Sequence, residues 1–324
     1  MRRRNLTFAL TTSALVAGAG LRAQTWPDKP VRFVLSQPPG SGPDNVARLL
    51  GDRLGALWGQ PVVIDNKPGG QNTIGAQAAA RAAPDGSTFY FATTAALVTN
   101  AYLFKSLPYD TQKDFAPVAF VARSPFGLLV EANSPLRSLQ AFVDKAKAEP
   151  GRLTLGNEGP RTFSGMISRV MAARLKIEPN QVPYASIAVA TQNLLGGQVD
   201  AIVADLASTA ALVRSGKLRL LAVTSSQRVV GFESVPTLAE SGLPGFEMVG
   251  WFAIVAPTGT PAAVLQRVNR DVNAVLAEPA MAERIAAIGP IADATMGVDQ
   301  VSAFLRGEHQ SWSAATKEIG LLPE

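Results

Sequence analysis

The segment that most narrows the possible folds is a strand, a glycine-rich turn and a helix start in immediate succession. Val31-Arg32-Phe33-Val34-Leu35 is an apolar, β-rich run. Ser36-Gln37-Pro38-Pro39-Gly40-Ser41-Gly42-Pro43-Asp44-Asn45 is rich in turn formers, and Val46, Leu49, Leu50, Leu54, Leu57 and Trp58 then recur at helical spacing. Such a turn gathers unpaired backbone N–H groups and the positive end of a helix dipole at one point, which suits an anion. No Gly-Lys-Ser/Thr closes the turn, so it is not a nucleotide P-loop, and the third glycine of a dinucleotide fingerprint is missing.

The same unit recurs. Pro61-Val62-Val63-Ile64-Asp65 reads as a strand and Asn66-Lys67-Pro68-Gly69-Gly70-Gln71-Asn72 as a second turn, with Asn72 as a helix cap. An alanine-rich helix over 73–83 follows, and Thr88-Phe89-Tyr90-Phe91-Ala92 is a third strand leading into Thr93-Thr94. Strands that alternate with helices indicate βαβ units and a largely parallel sheet. Residues 107–117 are turn-rich, and the rhythm restarts at Phe126-Gly127-Leu128-Leu129-Val130. A second set of strands is expected at 152–156, 181–184, 200–205 and 218–224, with helices over 139–148 and 191–195 and another opening after the turn at 157–162. Residues 250–256 read as one more strand, and 261–276, 280–288 and 299–319 as helices. These last helices have no complete sheet of their own to cover. The chain is therefore divided into domain 1, residues 24–124 and 248–324, and an inserted domain 2, residues 125–247.

Residues 1–23 read as a signal peptide, with Arg2-Arg3-Arg4 ahead of an apolar stretch and cleavage near Ala23. Removing the four arginines of that segment takes the formal charge from +5 to +1, so a nucleic-acid partner loses its main support. The absence of cysteine excludes disulfides, a lipid anchor on an N-terminal Cys and thiol chemistry.

Many short stretches, in order, resemble the Bug/TctC family, the extracytoplasmic solute-binding proteins of tripartite tricarboxylate transporters. They include Trp26-Pro27-Asp28-Lys29-Pro30, the 38–44 turn, Gly59-Gln60-Pro61-Val62-Val63-Ile64-Asp65-Asn66-Lys67-Pro68-Gly69, Ala83-Pro84-Asp85-Gly86 and Leu107-Pro108-Tyr109-Asp110. Further along stand Gly196-Gly197-Gln198-Val199-Asp200, Val235-Pro236-Thr237-Leu238-Ala239-Glu240-Ser241-Gly242-Leu243-Pro244-Gly245 and Ala256-Pro257-Thr258-Gly259-Thr260-Pro261. The resemblance implies an α/β fold, the two-domain periplasmic-binding-protein fold of type II, with a ligand cleft between domains. It also implies a monomer in the periplasm that passes a small carboxylate ligand to membrane transporter subunits and uses no cofactor or metal.

It further implies that domain 1 contacts the ligand through Gly40, Ser41, Gly42, Asp44, Thr93 and Thr94. Domain 2 would do so through Arg161, Thr162, Ser164, Tyr184 and Ser186. Asp205, at a strand end, joins them as a group for a ligand amine or a loop amide. Several of these have competing readings: Gly40-Ser41-Gly42 is either a ligand turn or simply a tight strand–helix connection, Asp44 is expected to cap the helix that follows it, Arg161 is either a carboxylate partner or a solvated arginine, and Tyr184 is either a ligand donor or a core aromatic. The chain departs from the family pattern at Gln37 (usually aromatic), Ser41 (usually glycine), Pro43 (usually threonine) and Ala185-Ser186 (usually a basic residue and glycine). A histidine is usual near Gly165.

An exported α/β hydrolase is the contrasting class, and a ligand-sensing partner of a membrane sensor kinase is a variant of the binding class. The hydrolase needs a nucleophile with a base. No Gly-x-Ser-x-Gly elbow precedes a helix, and the single histidine, His309, is expected on the exposed side of a terminal helix. Trp251 and Phe163 are expected to pack. The expected mechanism is hinge closure about 123–126 and 246–251.

Overall fold

The computed structural model describes residues 26–318 and 320–323, so the expected signal peptide and its cleavage point lie outside the described residues. Two sheets organise the chain. The first has the order β11-β4-β10-β3-β1-β2, from strands β1 (Val31–Leu35), β2 (Val62–Asn66), β3 (Thr88–Thr93), β4 (Phe115–Ser124), β10 (Gly250–Pro257) and β11 (Ile291–Ala292). The second has the order β7-β6-β8-β5-β9, from β5 (Phe126–Glu131), β6 (Thr154–Asn157), β7 (Asn180–Pro183), β8 (Ala201–Asp205) and β9 (Leu218–Val223).

In each sheet the strand that arrives from the other sheet runs against both its neighbours. β10 is antiparallel to β3 and β4, and β5 is antiparallel to β8 and β9. The two-residue β11 is antiparallel to β4, and the pairs β1–β2, β1–β3, β6–β7 and β6–β8 are parallel. The crossovers are Pro125, between β4 and β5, and the irregular stretch 224–249, and they are tied together where they pass. Phe126 N–H donates to Thr224 Oγ1 at 3.0 Å, and Thr224 N–H donates to the Phe126 carbonyl at 2.9 Å.

Strand alternation builds the first core. Val31, Phe33, Leu35, Phe89 and Phe91 pack on one face against α1 (Gly42–Trp58), α8 (Ala262–Leu276) and α9 (Pro279–Ala287). Val34, Tyr90, Ala92 and Phe120 point to the other face, toward α2 (Thr73–Ala80) and α10 (Val298–Glu318). In α8, Val268, Val272, Val275 and Leu276 are the buried stripe, as the helical period requires.

Three elements depart from the sequence reading. The turn-rich reading of 107–117 conceals the start of β4, the longest strand, where Pro117 sits at an irregular register opposite Val255. Its run Val118–Ala122 is buried on both faces and shows no alternation to mark it. A π-helical turn over Ala95–Thr99 continues into α3 (Asn100–Leu103), and α7 (Leu206–Arg214) follows β8 with no intervening turn residue. His309 is a direct correction. It is 7% exposed, and Tyr102 Oη donates to its carbonyl at 2.6 Å while stacking obliquely near its ring. Burial holds its imidazole below the usual pKa.

Candidate functional site

In mixed α/β sheets the loops at the carboxyl ends of the parallel strands converge, and ligands sit there. Here the loops after β1, β2 and β3 face those after β6, β7 and β8 across a cavity of about 930 Å³. The first sheet contributes 36–41, Pro43, 68–72 and Thr93–Ala95. The second contributes Glu158, Thr162, Phe163, 184–188, Thr191, Gln192, Asp205, Ser208 and Leu212. Ser124, Phe126 and 250–252 close the floor, where the two crossovers pass. Another cavity, of about 640 Å³, is walled by residues between 132 and 241 alone, so motion between the two sheets cannot close it.

The first turn is braced from within. Asp44 is 1% exposed; its carboxylate accepts from Gly40 N–H at 2.8 Å, from Arg48 Nε and Nη2 at 2.9 Å, and from Asn66 Nδ2 at 2.9 Å. Burial would raise this carboxyl, but Arg48, Gly40 and Asn66 together hold it below the usual range. Asp44 thus stands at the third helical position and reaches back to fix the loop. The helix cap proper is Ser41, whose side chain makes no capping bond. Ser41 N–H donates to the Pro38 carbonyl and Gly42 N–H to Ser208 Oγ, at 3.3 and 3.1 Å. The turn expected to offer free amides to an anion therefore has the amides of Gly40, Ser41 and Gly42 partnered within the chain.

Eight of the expected residues line the cavity: Gly40, Ser41, Thr93, Thr94, Thr162, Tyr184, Ser186 and Asp205. Several of them hold the walls together. Thr94 Oγ1 accepts from Trp251 N–H at 2.9 Å, and Thr93 Oγ1 from Gln37 Nε2 at 3.2 Å. Thr162 caps α5 (Phe163–Leu175) and Ser186 caps α6 (Ile187–Leu195). Asp205 caps α7, accepting from Ser208 N–H at 2.9 Å and Ser208 Oγ at 3.0 Å.

Four expected residues fall outside the cavity wall: Gly42, Asp44, Arg161 and Ser164. Gly42 abuts α7, where a Cβ would overlap Asp205 Oδ1 and Ala207. Arg161 places its guanidinium 5.3 Å from the centre of the Phe104 ring, reaching from the second sheet's side to the first's. Ser164 is fully buried and accepts from Glu158 N–H at 3.1 Å. Asn72 makes no side-chain cap; its Oδ1 accepts from Gln37 Nε2 at 3.1 Å, and the whole 68–72 turn lines the cavity. Phe163 and Trp251 pack as expected, Phe163 between Phe126 and Trp312, and both also face the cavity. Gly165, near which the family usually has a histidine, itself has no room for a side chain, since a Cβ there would overlap the Gly159 carbonyl.

Glu158 is the residue that sequence reading passed over. It follows β6 directly, the position the strand-end rule marks. Burial first, then the charge of Asp205, pushes its carboxyl up to about 7, against the Ile187 N–H and the Ser164 hydroxyl. Burial also pushes Asp205 up to about 6, against its bonds from Ser208. Polar atoms with no protein partner concentrate here: Gln37 Oε1, Ser41 Oγ, Gln71 Oε1, Ser124 Oγ and Thr191 Oγ1 are buried and unbonded, and all five residues line the cavity. Buried polar atoms left unpaired cost stability, so their gathering around one cavity marks a place for a ligand or solvent. Among the described residues no group of three or more His, Asp or Glu stands where it could hold a metal ion, and no helix is long and apolar enough to cross a membrane.

Residues 46–321 match the family described as "Tripartite tricarboxylate transporter family receptor". Protein BugT of Bordetella pertussis is 33% identical over 322 residues, 98% of each chain. Among solved structures, R. palustris Rpa4515 with adipate superposes with a TM-score of 0.88 at 29% identity, covering 92% of this chain and 100% of that one. MatC from Rhodopseudomonas palustris with bound malate gives 0.82 at 28% identity, covering 90% and 99%.

Proposed function

Because the chain belongs to the tripartite tricarboxylate transporter receptor family, we propose that it captures a small carboxylate-bearing solute in the periplasm and delivers it to membrane subunits of a tripartite tricarboxylate-type transporter. The observation that carries this reading is the cavity of about 930 Å³, whose walls come from two sheets that the chain connects through two crossovers. Its size suits a small metabolite. The unpartnered hydroxyl and amide atoms on its walls supply orientation, and the adipate and malate bound by structural neighbours supply the ligand class. Solute would enter with the sheets apart and be enclosed as residues 124–126 and 224–250 flex. The wall contains no histidine, and His309 is buried beside Tyr102, so the geometry favours capture over hydrolysis.

A thermal-shift screen of dicarboxylates, tricarboxylates, aromatic acids and amino acids tests the proposal. A solute at a hundred times its Kd stabilises the folded chain by about 2.7 kcal/mol, a readily measured rise in midpoint. A flat response to every carboxylate class sinks it.

A further inference from the structure

We infer that the solute carries an ammonium group as well as its carboxylate, and that Glu158 and Asp205 receive the ammonium. This rests on the solute-binding reading above and narrows its substrate class.

The two acids are brought together by the second sheet. β6 and β8 are parallel neighbours, with Gly156 opposite Ile202, so Glu158 and Asp205 leave the sheet at the same edge and face the same cavity. Their partners orient them without neutralising them. Asp205 is held by the N–H and hydroxyl of Ser208, and Glu158 by the Ile187 N–H and, at 3.5 Å, the Ser164 hydroxyl. No lysine or arginine is among the residues that line the cavity.

The remaining unpaired atoms point the same way. Gln37 Oε1 and Gln71 Oε1 are acceptors without donors. Ser124 and Thr191, 1% and 5% exposed, have hydroxyl oxygens without any partner. A solute with an acid at each end would bring a second anion against the half-buried Glu158 and the buried Asp205, and nearby like charges shielded from water repel strongly. An ammonium group offers three N–H donors and the missing positive charge. The hydroxyls of Ser41 and Ser124, which can donate, are then left for the carboxylate end. Burial already lifts both acids above the usual carboxylate range, and a cation beside them would reverse that.

The test is calorimetry on the full mature chain at pH 8, with pairs of equal length: 4-aminobutanoate against succinate, 5-aminopentanoate against glutarate, 6-aminohexanoate against adipate. Common α-amino acids and 1,5-diaminopentane complete the panel. The expected result is an amino acid that binds at least about tenfold tighter than any dicarboxylate, with that preference reduced about tenfold or more in both Glu158→Gln and Asp205→Asn. A dicarboxylate that binds as tightly as the best amino acid overturns the inference and leaves the solute-binding reading intact. Binding of the diamine alone removes the carboxylate from that reading and keeps the cation subsite. If nothing in the panel binds and the wider carboxylate screen is also flat, both readings fall together. Should either variant unfold, the comparison of amino acid with dicarboxylate on the unaltered chain still decides the matter.

Discussion

The backbone N–H of Gly42 donates to Ser208 Oγ at 3.1 Å, joining the first turn of α1 to the first turn of α7. Two helix N-termini brought together place two positive dipole ends side by side. Asp205 resolves the conflict, since its carboxylate accepts from Ser208 Oγ at 3.0 Å and lies within reach of a Cβ at Gly42. The anion at the start of α1 is thus supplied by the chain itself, from the opposite side of the cleft. Gly42→Val would thrust a branched side chain into Asp205 and Ala207 and hold the two sides apart. The expected outcome is a fold with near-normal far-UV circular dichroism, a larger radius in solution scattering with ligand present, and affinity lowered at least about tenfold. Wild-type affinity in this variant would show that the Gly42 contact takes no part in closure.

Asp44 yields a stability prediction instead of a ligand one. Its carboxyl is held below the usual value, so its contribution is present above an unfolded pKa of 3.8 and is lost as pH falls through the lower folded value. Arg48 is half exposed, so solvent screens part of the ion pair, while the bonds to Gly40 and Asn66 are shielded. Asp44→Ala is expected to cost about 2 kcal/mol at neutral pH, read from urea midpoints, with the difference from wild type shrinking below pH 3. Equal midpoints at pH 7 would mean that the turn does not depend on this brace.

Much of the fold was legible because its signals are local. Val31–Leu35 and Thr88–Thr93 are β-rich runs, the first ended by a turn, and the stripe of α8 follows the helical period. β4 was concealed because a strand covered on both faces loses its alternation, and Pro117 added a false stop. At the site, the strand-end rule located the loops but could not say which side chains turn inward. Asp44 and Ser164 look like ligand residues by type, yet both are consumed by backbone amides. Glu158, one turn residue among several in Asn157-Glu158-Gly159-Pro160, becomes distinctive only when the sheet sets it beside Asp205.

Arg161 illustrates the same limit, and its structural placement changes what its removal should do. The guanidinium lies over Phe104 rather than in the cavity wall. Cation–π contacts of this kind contribute about 0.5–1 kcal/mol at partly exposed sites. Because the guanidinium stands outside the cavity wall, Arg161→Ala is expected to weaken ligand binding by no more than about fivefold, through the closed arrangement. Arg161→Lys should recover part of the loss, since the charge over the ring is retained. A hundredfold loss in calorimetry would instead put Arg161 on the solute.

The raised carboxyls of Glu158 and Asp205 carry a stability signature of unusual sign. For both, the folded value exceeds the unfolded one: about 7 against 4.5, and about 6 against 3.8. Between those limits the folded state holds more protons than the unfolded chain, so stability falls as pH rises from about 4 to about 7. His309 works in the opposite direction, because burial lowers its pKa and its contribution grows as pH climbs toward 6.5. Comparing variants separates the two. Glu158→Gln removes one descending contribution, so the ligand-free variant should gain thermal midpoint relative to wild type at pH 7.5 and show little difference at pH 4. A variant midpoint that tracks wild type across the whole range would mean that Glu158 ionises in the cavity as freely as it does in water.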